Sequence, residues 1–442
     1  MAETPIDRAG DGRPAGSPPV YSRRRLLATS AVAALSGAAA VAVGGGIAVA
    51  RTTDDAAPAS AGAGNAGAGS AGAGSADAGI AGADATAAAA TATVPFAGPH
   101  QAGVQTPAQA FAAFCAFDLR PEVDAGALRR LLRLLSDDVA RMTAGTAALA
   151  DTAPELAAAP ARLTITVGFG PTLFDKVGPA VARPAGLTEL PAFPEIDRLD
   201  PAYGAADLLL QICADDALVV AHAQRMLFKD TRAFATARWT QRGFLPLHAA
   251  GSTPRNLMGQ VDGTVNPTVD ADFDRVVWHA GDGWFAGGTF LVLRRIRMEL
   301  DTWDELDPSA MEATVGRRLS TGAPLTGTAE HDEPDLTALD ATGLPAIADF
   351  AHLRVARGDG PALQILRRPY NYDDSPGADG GSDVGLLFCA YQADIAAQFV
   401  PMQRRLAAGD LLNQWTTPIG SAVFAVPPGF SAGGFVGEGM FT

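Results

Sequence analysis

The chain has 442 residues, which at about 150 residues per domain suggests two or three folded units; 48% of it is apolar, 7% aromatic and 49 residues are glycine, so its hydrophobicity leans on alanine rather than on large core side chains. With 33 Lys and Arg against 48 Asp and Glu, the formal charge of −15 would repel a phosphate backbone and excludes a nucleic-acid partner. Cys115, Cys213 and Cys389 lie far apart in apolar runs, too few for a disulfide framework, and read as buried thiols.

From Tyr21 to Ala50 a basic cluster (Arg23, Arg24, Arg25) precedes a weakly hydrophobic stretch of Ala, Val, Leu and Gly. The segment from Ser22 to Leu27, SRRRLL, resembles a twin-arginine export signal. A single transmembrane anchor is the other reading; it is the weaker one because Ala and Gly contribute little transfer energy. The twin-arginine route carries proteins already folded, often with a cofactor inside, to the periplasm or cell exterior. Residues 51–93 repeat Ala-Gly-Ala-Gly-Ser and offer nothing large to bury, so a flexible tether is expected there. The chain thus divides into a signal region (1–50), a low-complexity linker (51–93) and two folded units (94–245 and 246–442).

In the first unit, Phe111 to Phe117 is a short apolar run that reads as a strand. Leu128, Leu131, Leu132, Leu135, Val139 and Met142 then recur at helical spacing. Leu163, Ile165 and Val167 alternate with threonines as a strand does, and Leu208 to Cys213 is a further strand leading to Asp215, the expected N-cap of the next helix. In the second unit Thr289 to Met298 reads as a strand. Thr302-x-x-Glu305 has the form of a capping box, with helix through Met311 to Leu319. Gly385 to Tyr391 is strand-like, and Ile395 to Leu406 helical, with Ile395, Phe399, Met402 and Leu406 on one face. The repeated order predicts an α+β fold of two ferredoxin-like domains with antiparallel sheets.

The six histidines show neither HExxH nor Cys-His metal spacing, and no GxSxG, GxGxxG or P-loop follows a strand. Attention falls instead on Pro254 to Pro267, PRNLMGQVDGTVNP. Alone, Asp262-Gly263 is a turn dipeptide and Gly259 a loop residue. In context, Gly259-x-x-Asp262-Gly263 resembles the GxxDG motif of the dye-decolourising peroxidase family, and the flanking PRNLMG and GTVNP match too. Phe350-Ala-His352-Leu-Arg354 is similar to that family's proximal-histidine segment, and Ile365-Leu-Arg367-Arg-Pro-Tyr370 to its distal-arginine segment. Gly385 to Gln392 looks like the strand walling the distal haem face. The resemblance runs from about Gly98 to Gly429, and its nearest branch is the exported one associated with bacterial iron uptake.

The resemblance implies one haem b per chain, with His352 as axial ligand and Asp410 accepting a hydrogen bond from its other ring nitrogen. Gly259, Gly263, Leu386 and Phe388 would complete the cofactor site. Asp262 would shuttle the proton when hydrogen peroxide is split and Arg367 would stabilise the departing oxygen. A carboxylate in that role works best at acid pH, since its reference value lies near about 4. The connection from His352 to Arg367 is short for the family and Pro369 follows where some members carry Asn or Gly, which leaves Arg368 as the alternative distal cation. Trp284, Trp415, Tyr370 and Tyr391 could relay electrons, with core packing the default reading. The implied activity is hydrogen peroxide reduction coupled to oxidation of a small-molecule reductant such as a dye or phenol, or of ferrous iron. Two other readings stay open: release of iron from haem, or an iron-uptake role with a membrane permease; and haem binding without turnover. A homo-oligomer is compatible with either.

Overall fold

The strand β1 (Phe111–Leu119) is apolar on both faces, and that decides where it goes. Ala113, Cys115 and Phe117 join one buried cluster while Ala112, Phe114 and Ala116 join another, so the strand must sit between two packed layers. A computed structural model describes residues 88–246, 252–358, 363–374, 376 and 382–441. All belong to one compact unit, Gly72–Thr442. The twin-arginine segment and most of the repeat lie outside the described residues.

In the first half, β1, β2 (Thr164–Phe169), β3 (Leu208–Ala214) and β4 (Ala235–Phe244) pair antiparallel in the order β2-β3-β1-β4. The helices Ala125–Thr143 and Ala217–Thr231 carry the two crossovers. The second half repeats the pattern with β5 (Thr289–Met298), β6 (Leu366–Arg367), β7 (Tyr370–Asp374), β8 (Asp383–Gln392) and β9 (Thr416–Val426). Here β9 and β8 flank β5, and β7 and β6 share the far edge of β8. Each half is therefore a ferredoxin-like βαββαβ unit. Single pairings, Phe169 with Ala425 and Phe244 with Asn371, join the two sheets at their edges and close a ring of strands.

Inside the ring, Phe114, Trp239, Tyr370, Leu387 and Phe424 pack together. The outer cluster holds the helices against the first sheet: Leu128, Leu131, Leu132, Leu135, Val139 and Met142 are all buried, as their helical spacing predicts. All three cysteines are free and buried.

The structure departs from the sequence expectations at several element ends. The helix Ala217–Thr231 is capped by Asp216, whose side chain accepts from Leu218 N; Asp215 instead pairs with Arg162 at 2.7 Å and accepts from Ala110 N. Thr302 and Glu305 form no capping box, because Thr302 Oγ1 donates back to the Glu299 carbonyl. The helix there is Pro308–Val315, capped by Asp307 and stopped by Gly316 in the left-handed region, so it does not reach Leu319. The stretch from Ile395 opens as a π-type turn, Ile395–Phe399, before the α-helix Val400–Gly409. Residues ahead of Val94 also pack onto the folded unit: the carbonyls of Ala90 and Ala92 accept from Ala161 N and Arg162 N at 2.8 and 2.7 Å.

Candidate active site

Strand alternation sets the floor of the site. Along β8, Leu387, Cys389 and Tyr391 point into the ring, so Leu386 and Phe388 face the other way. Ile296 of β5 lies directly opposite Leu386 and shares that outward face. Above it lies a cavity of about 520 Å³ with mainly apolar walls, bounded by residues of the helices His352–Arg357 and Val400–Gly409.

His352 is the first residue of its helix and reaches the cavity from there. Its Nδ1 lies 2.6 Å from Asp410 Oδ2. Asp410 is buried, and its other oxygen, Oδ1, accepts from Leu412 N at 2.9 Å to cap the short helix Leu411–Gln414. A backbone bond from Leu411 N to Phe350 O, 3.1 Å, ties the two elements together. Burial alone would lower the imidazole pKa, but the charge and hydrogen bond of Asp410 outweigh it and the net shift is upward. No described residue takes the other ring nitrogen, Nε2.

Asp262 comes from a loop that two glycines shape. Gly259 (φ 78°) and Gly263 (φ 126°) occupy backbone conformations that favour glycine, and Asp262 N donates to Pro254 O at 2.9 Å. Neither glycine lines the cavity; both act by turning the chain so that Asp262 does. Asp262 Oδ1 lies 2.6 Å from Arg367 Nη1, yet the approach lacks hydrogen-bond alignment, so among the described residues this buried oxygen has a charge partner and no well-directed donor. Arg367 lines the cavity, whereas Arg368 turns into the protein and donates to Thr106 O and Gln109 Oε1.

Three further cations border the cavity and were not singled out from sequence: Arg275, Arg317 and Arg357. Arg317 donates to the carbonyls of Gly322 and Glu330 at 2.6 and 2.9 Å. Burial and then the like charge of Arg367 hold its pKa below the usual arginine value. An Arg after the loop-forming Gly316 was the available clue, but arginines bordering a cavity are recognisable only once the chain is folded.

These features fit a haem. The walls suit an apolar macrocycle, His352 offers an unengaged ring nitrogen whose partner fixes its tautomer, Asp262 Oδ1 awaits a donor, and the border cations suit the carboxylates of a porphyrin edge. Of the residues expected from sequence, His352, Asp410, Asp262, Arg367, Leu386 and Phe388 all meet at this cavity, and Gly259 and Gly263 do not. Tyr370 and Tyr391 are wholly buried within the ring.

Comparison with known proteins gives the same picture. The Dyp-type peroxidase N-terminal family model matches residues 101–245 and the C-terminal one residues 253–431. The dye-decolorizing peroxidase of Thermobifida fusca is 39% identical over 346 residues, covering 74% of this chain and 80% of that protein. The deferrochelatase of Escherichia coli K12 is 38% identical over 359 residues, covering 76% and 84%. Among solved structures, a DyP-type peroxidase from Cellulomonas bogoriensis is 52% identical with a TM-score of 0.77, covering 80% of this chain and 99% of that one. DtpA from Streptomyces lividans, in an oxyferrous complex, is 42% identical with the same score and coverage. A match this long in sequence, and in fold over both halves, means that the chain belongs to the Dyp-type peroxidase family.

Proposed function

We propose that the cavity holds one haem b with His352 Nε2 as its axial ligand, and that Asp262 and Arg367 carry out the peroxide step. By its family the protein is a hydrogen-peroxide-dependent haem peroxidase. The observation that carries the assignment of residues is the convergence of two pairs, His352 with Asp410 and Asp262 with Arg367, on a single apolar cavity. They are close enough that the charges of Arg367 and Asp262 both act on the imidazole.

Haem, when bound, supplies the electrons that split the O–O bond and recovers them singly from a reductant. Everything else is done by side chains. Asp262 Oδ1 has no aligned donor, so it is available to take a proton from peroxide and return it to the departing oxygen. The Arg367 guanidinium, fixed beside it, offsets the negative charge that develops on that oxygen. Leu386 and Phe388 keep bulk water from that face, which strengthens both effects. Asp410 holds the imidazole in the tautomer that directs Nε2 to the cavity. The test is peroxide-driven turnover of Asp262→Asn and Arg367→Leu in haem-loaded protein. Both should lose kcat/KM for peroxide while keeping the Soret band. Undiminished turnover in both would remove the assignment.

The reductant is proposed to be an organic dye or phenol, or ferrous iron, and export is proposed on the twin-arginine segment alone. A second reading, release of iron from haem with the porphyrin intact, is favoured by relatives named deferrochelatase. Incubating the purified protein with haem and assaying free protoporphyrin, beside peroxide-dependent dye bleaching, separates the two.

A further inference from the structure

The strand that carries Arg367 is two residues long and, among the described residues, has a sheet partner on one side only. β6 pairs Leu366 with Tyr391 and Arg367 with Ala390, and the next amide, Arg368 N, donates to Cys389 O. The N–H and C=O of Arg367 itself face the other edge, where no strand lies among the described residues. The side chain of Asn266 fills that edge. Its Oδ1 accepts from Arg367 N at 2.8 Å, and its Nδ2 donates to Arg367 O at 2.6 Å. A primary amide presents the same acceptor and donor as a peptide unit, so Asn266 takes the place of one residue of a missing strand.

Asn266 is in turn held by the loop that presents Asp262. Its N–H closes a turn onto Gly263 O at 3.0 Å. Gly263, at φ 126°, lies beside this amide: a Cβ there would stand 3.5 Å from Asn266 Nδ2, an ordinary contact distance. The same short loop therefore carries Asp262 at one end and grips the backbone of Arg367 at the other. A second amide braces it: Gln364 Nε2 donates to Val265 O at 2.9 Å. The separation of Asp262 and Arg367 is thus set locally rather than by the sheet. An edge residue held by only one strand would be free to fray.

We infer that Asn266 is a positioning residue for the peroxide step, registering the Arg367 guanidinium against the Asp262 carboxylate through the Arg367 backbone. The inference rests on the roles proposed above for Asp262 and Arg367. Removing the amide frees the Arg367 backbone and lets the guanidinium wander by the fraction of an ångström to which such steps are sensitive. Asn266→Asp keeps the acceptor for Arg367 N but sets a carboxylate oxygen against Arg367 O, so one bond of the pair survives.

The test compares haem-loaded wild type, Asn266→Ala, Asn266→Asp and Arg367→Leu by three measurements. These are kcat/KM for hydrogen peroxide alongside KM for a reducing dye, cyanide affinity of the ferric protein from the Soret shift, and amide hydrogen exchange at Arg367. Asn266→Ala should lower peroxide kcat/KM about tenfold to a hundredfold, leave the dye KM unchanged, weaken cyanide binding and speed exchange at Arg367, with Asn266→Asp in between. Should Asn266→Ala fail to fold, the same ordering is read from Asn266→Asp against wild type. Faster exchange at Arg367 with unchanged peroxide kinetics and cyanide affinity would overturn the positioning role, as would unchanged exchange. Full turnover in Arg367→Leu would instead overturn the role of Arg367, a result separable from the exchange measurement on Asn266.

Discussion

Arg367 and Arg368 are consecutive in the chain and belong to different compartments of the molecule. Arg367 lines the cavity beside Asp262, and Arg368 is buried against Gln109 and the Thr106 carbonyl. Strand geometry enforces the split, because neighbouring residues of a strand point to opposite faces. Of the two candidates left by the short connection after His352, Arg367 is the one placed at the cavity.

The two arginines should fail differently when replaced by leucine. Arg367→Leu should lose peroxide reactivity and keep its melting temperature. Arg368→Leu leaves the buried Gln109 Oε1 and the part-buried Thr106 O without their donor. Each costs about 1–3 kcal/mol, only partly offset by removing a buried cation. Its signature is a lower melting temperature with peroxide kinetics preserved in the surviving fold. Thermal unfolding beside stopped-flow peroxide kinetics measures both, and a reversal of the two phenotypes would contradict the placement.

Asp410 uses both carboxylate oxygens as acceptors, one for His352 Nδ1 and one for Leu412 N. An asparagine there has one acceptor and one donor, so Asp410→Asn must abandon either the imidazole or the helix cap. The expected result is a haem affinity weaker by about tenfold to a hundredfold, the usual effect of losing a partner to a ligating histidine. Titration of apoprotein with haem, followed at the Soret band, measures it; unchanged affinity would mean that Asp410 does not orient His352.

Much of the site was legible because its residues sit in short segments with their own spacing. Asp262 follows Gly259 within one loop, and Leu386 and Phe388 alternate along one strand, so local pattern was enough. What escaped depends on long-range pairing. Asn266 stood in plain view in the same loop, but its partner is 101 residues away at Arg367. Arg317 and Arg357 belong to the cavity only because the connection from β5 to β6 folds over the outer face of the sheet. The misassigned caps are local competitions instead. Asp215 and Asp216 are adjacent and equally suited by type, and Asp215 is claimed by Arg162, which leaves the helix to Asp216.

The seam under the cavity makes a further prediction. Gly385 lies between β5 and β7, and a Cβ there would stand 2.0 Å from Ile296 O and 2.9 Å from Tyr372 Cε1. Gly385→Ala must push β8 away from β5 at the point where Ile296 and Leu386 form the floor. Overpacking of this kind costs about 1–3 kcal/mol. Both the melting temperature and the haem retained through gel filtration should fall. A variant as stable and as haem-replete as wild type would show that the strands can separate there without strain.

A buried carboxyl outside the cavity lining contributes to the pH dependence of stability. Asp138 and Asp230 are buried between the helices Ala125–Thr143 and Ala217–Thr231, and Asp138 Oδ1 is engaged by Leu149 N at 2.8 Å. Burial, and then the neighbouring Asp138 charge, push the Asp230 carboxyl up from 3.8 to about 7, while Lys229 and Arg232 pull weakly the other way. The folded chain therefore keeps a proton that the unfolded chain releases at lower pH. Stability contributed by this site is full below the unfolded value and falls as pH rises through the window from 3.8 to about 7. Asp230→Asn keeps a donor toward Asp138 and cannot ionise. Its melting temperature should exceed that of wild type above neutrality and converge with it near about pH 4. Melting curves of both proteins across that range decide the matter, and a gain of equal size at every pH would show that Asp230 does not titrate with folding.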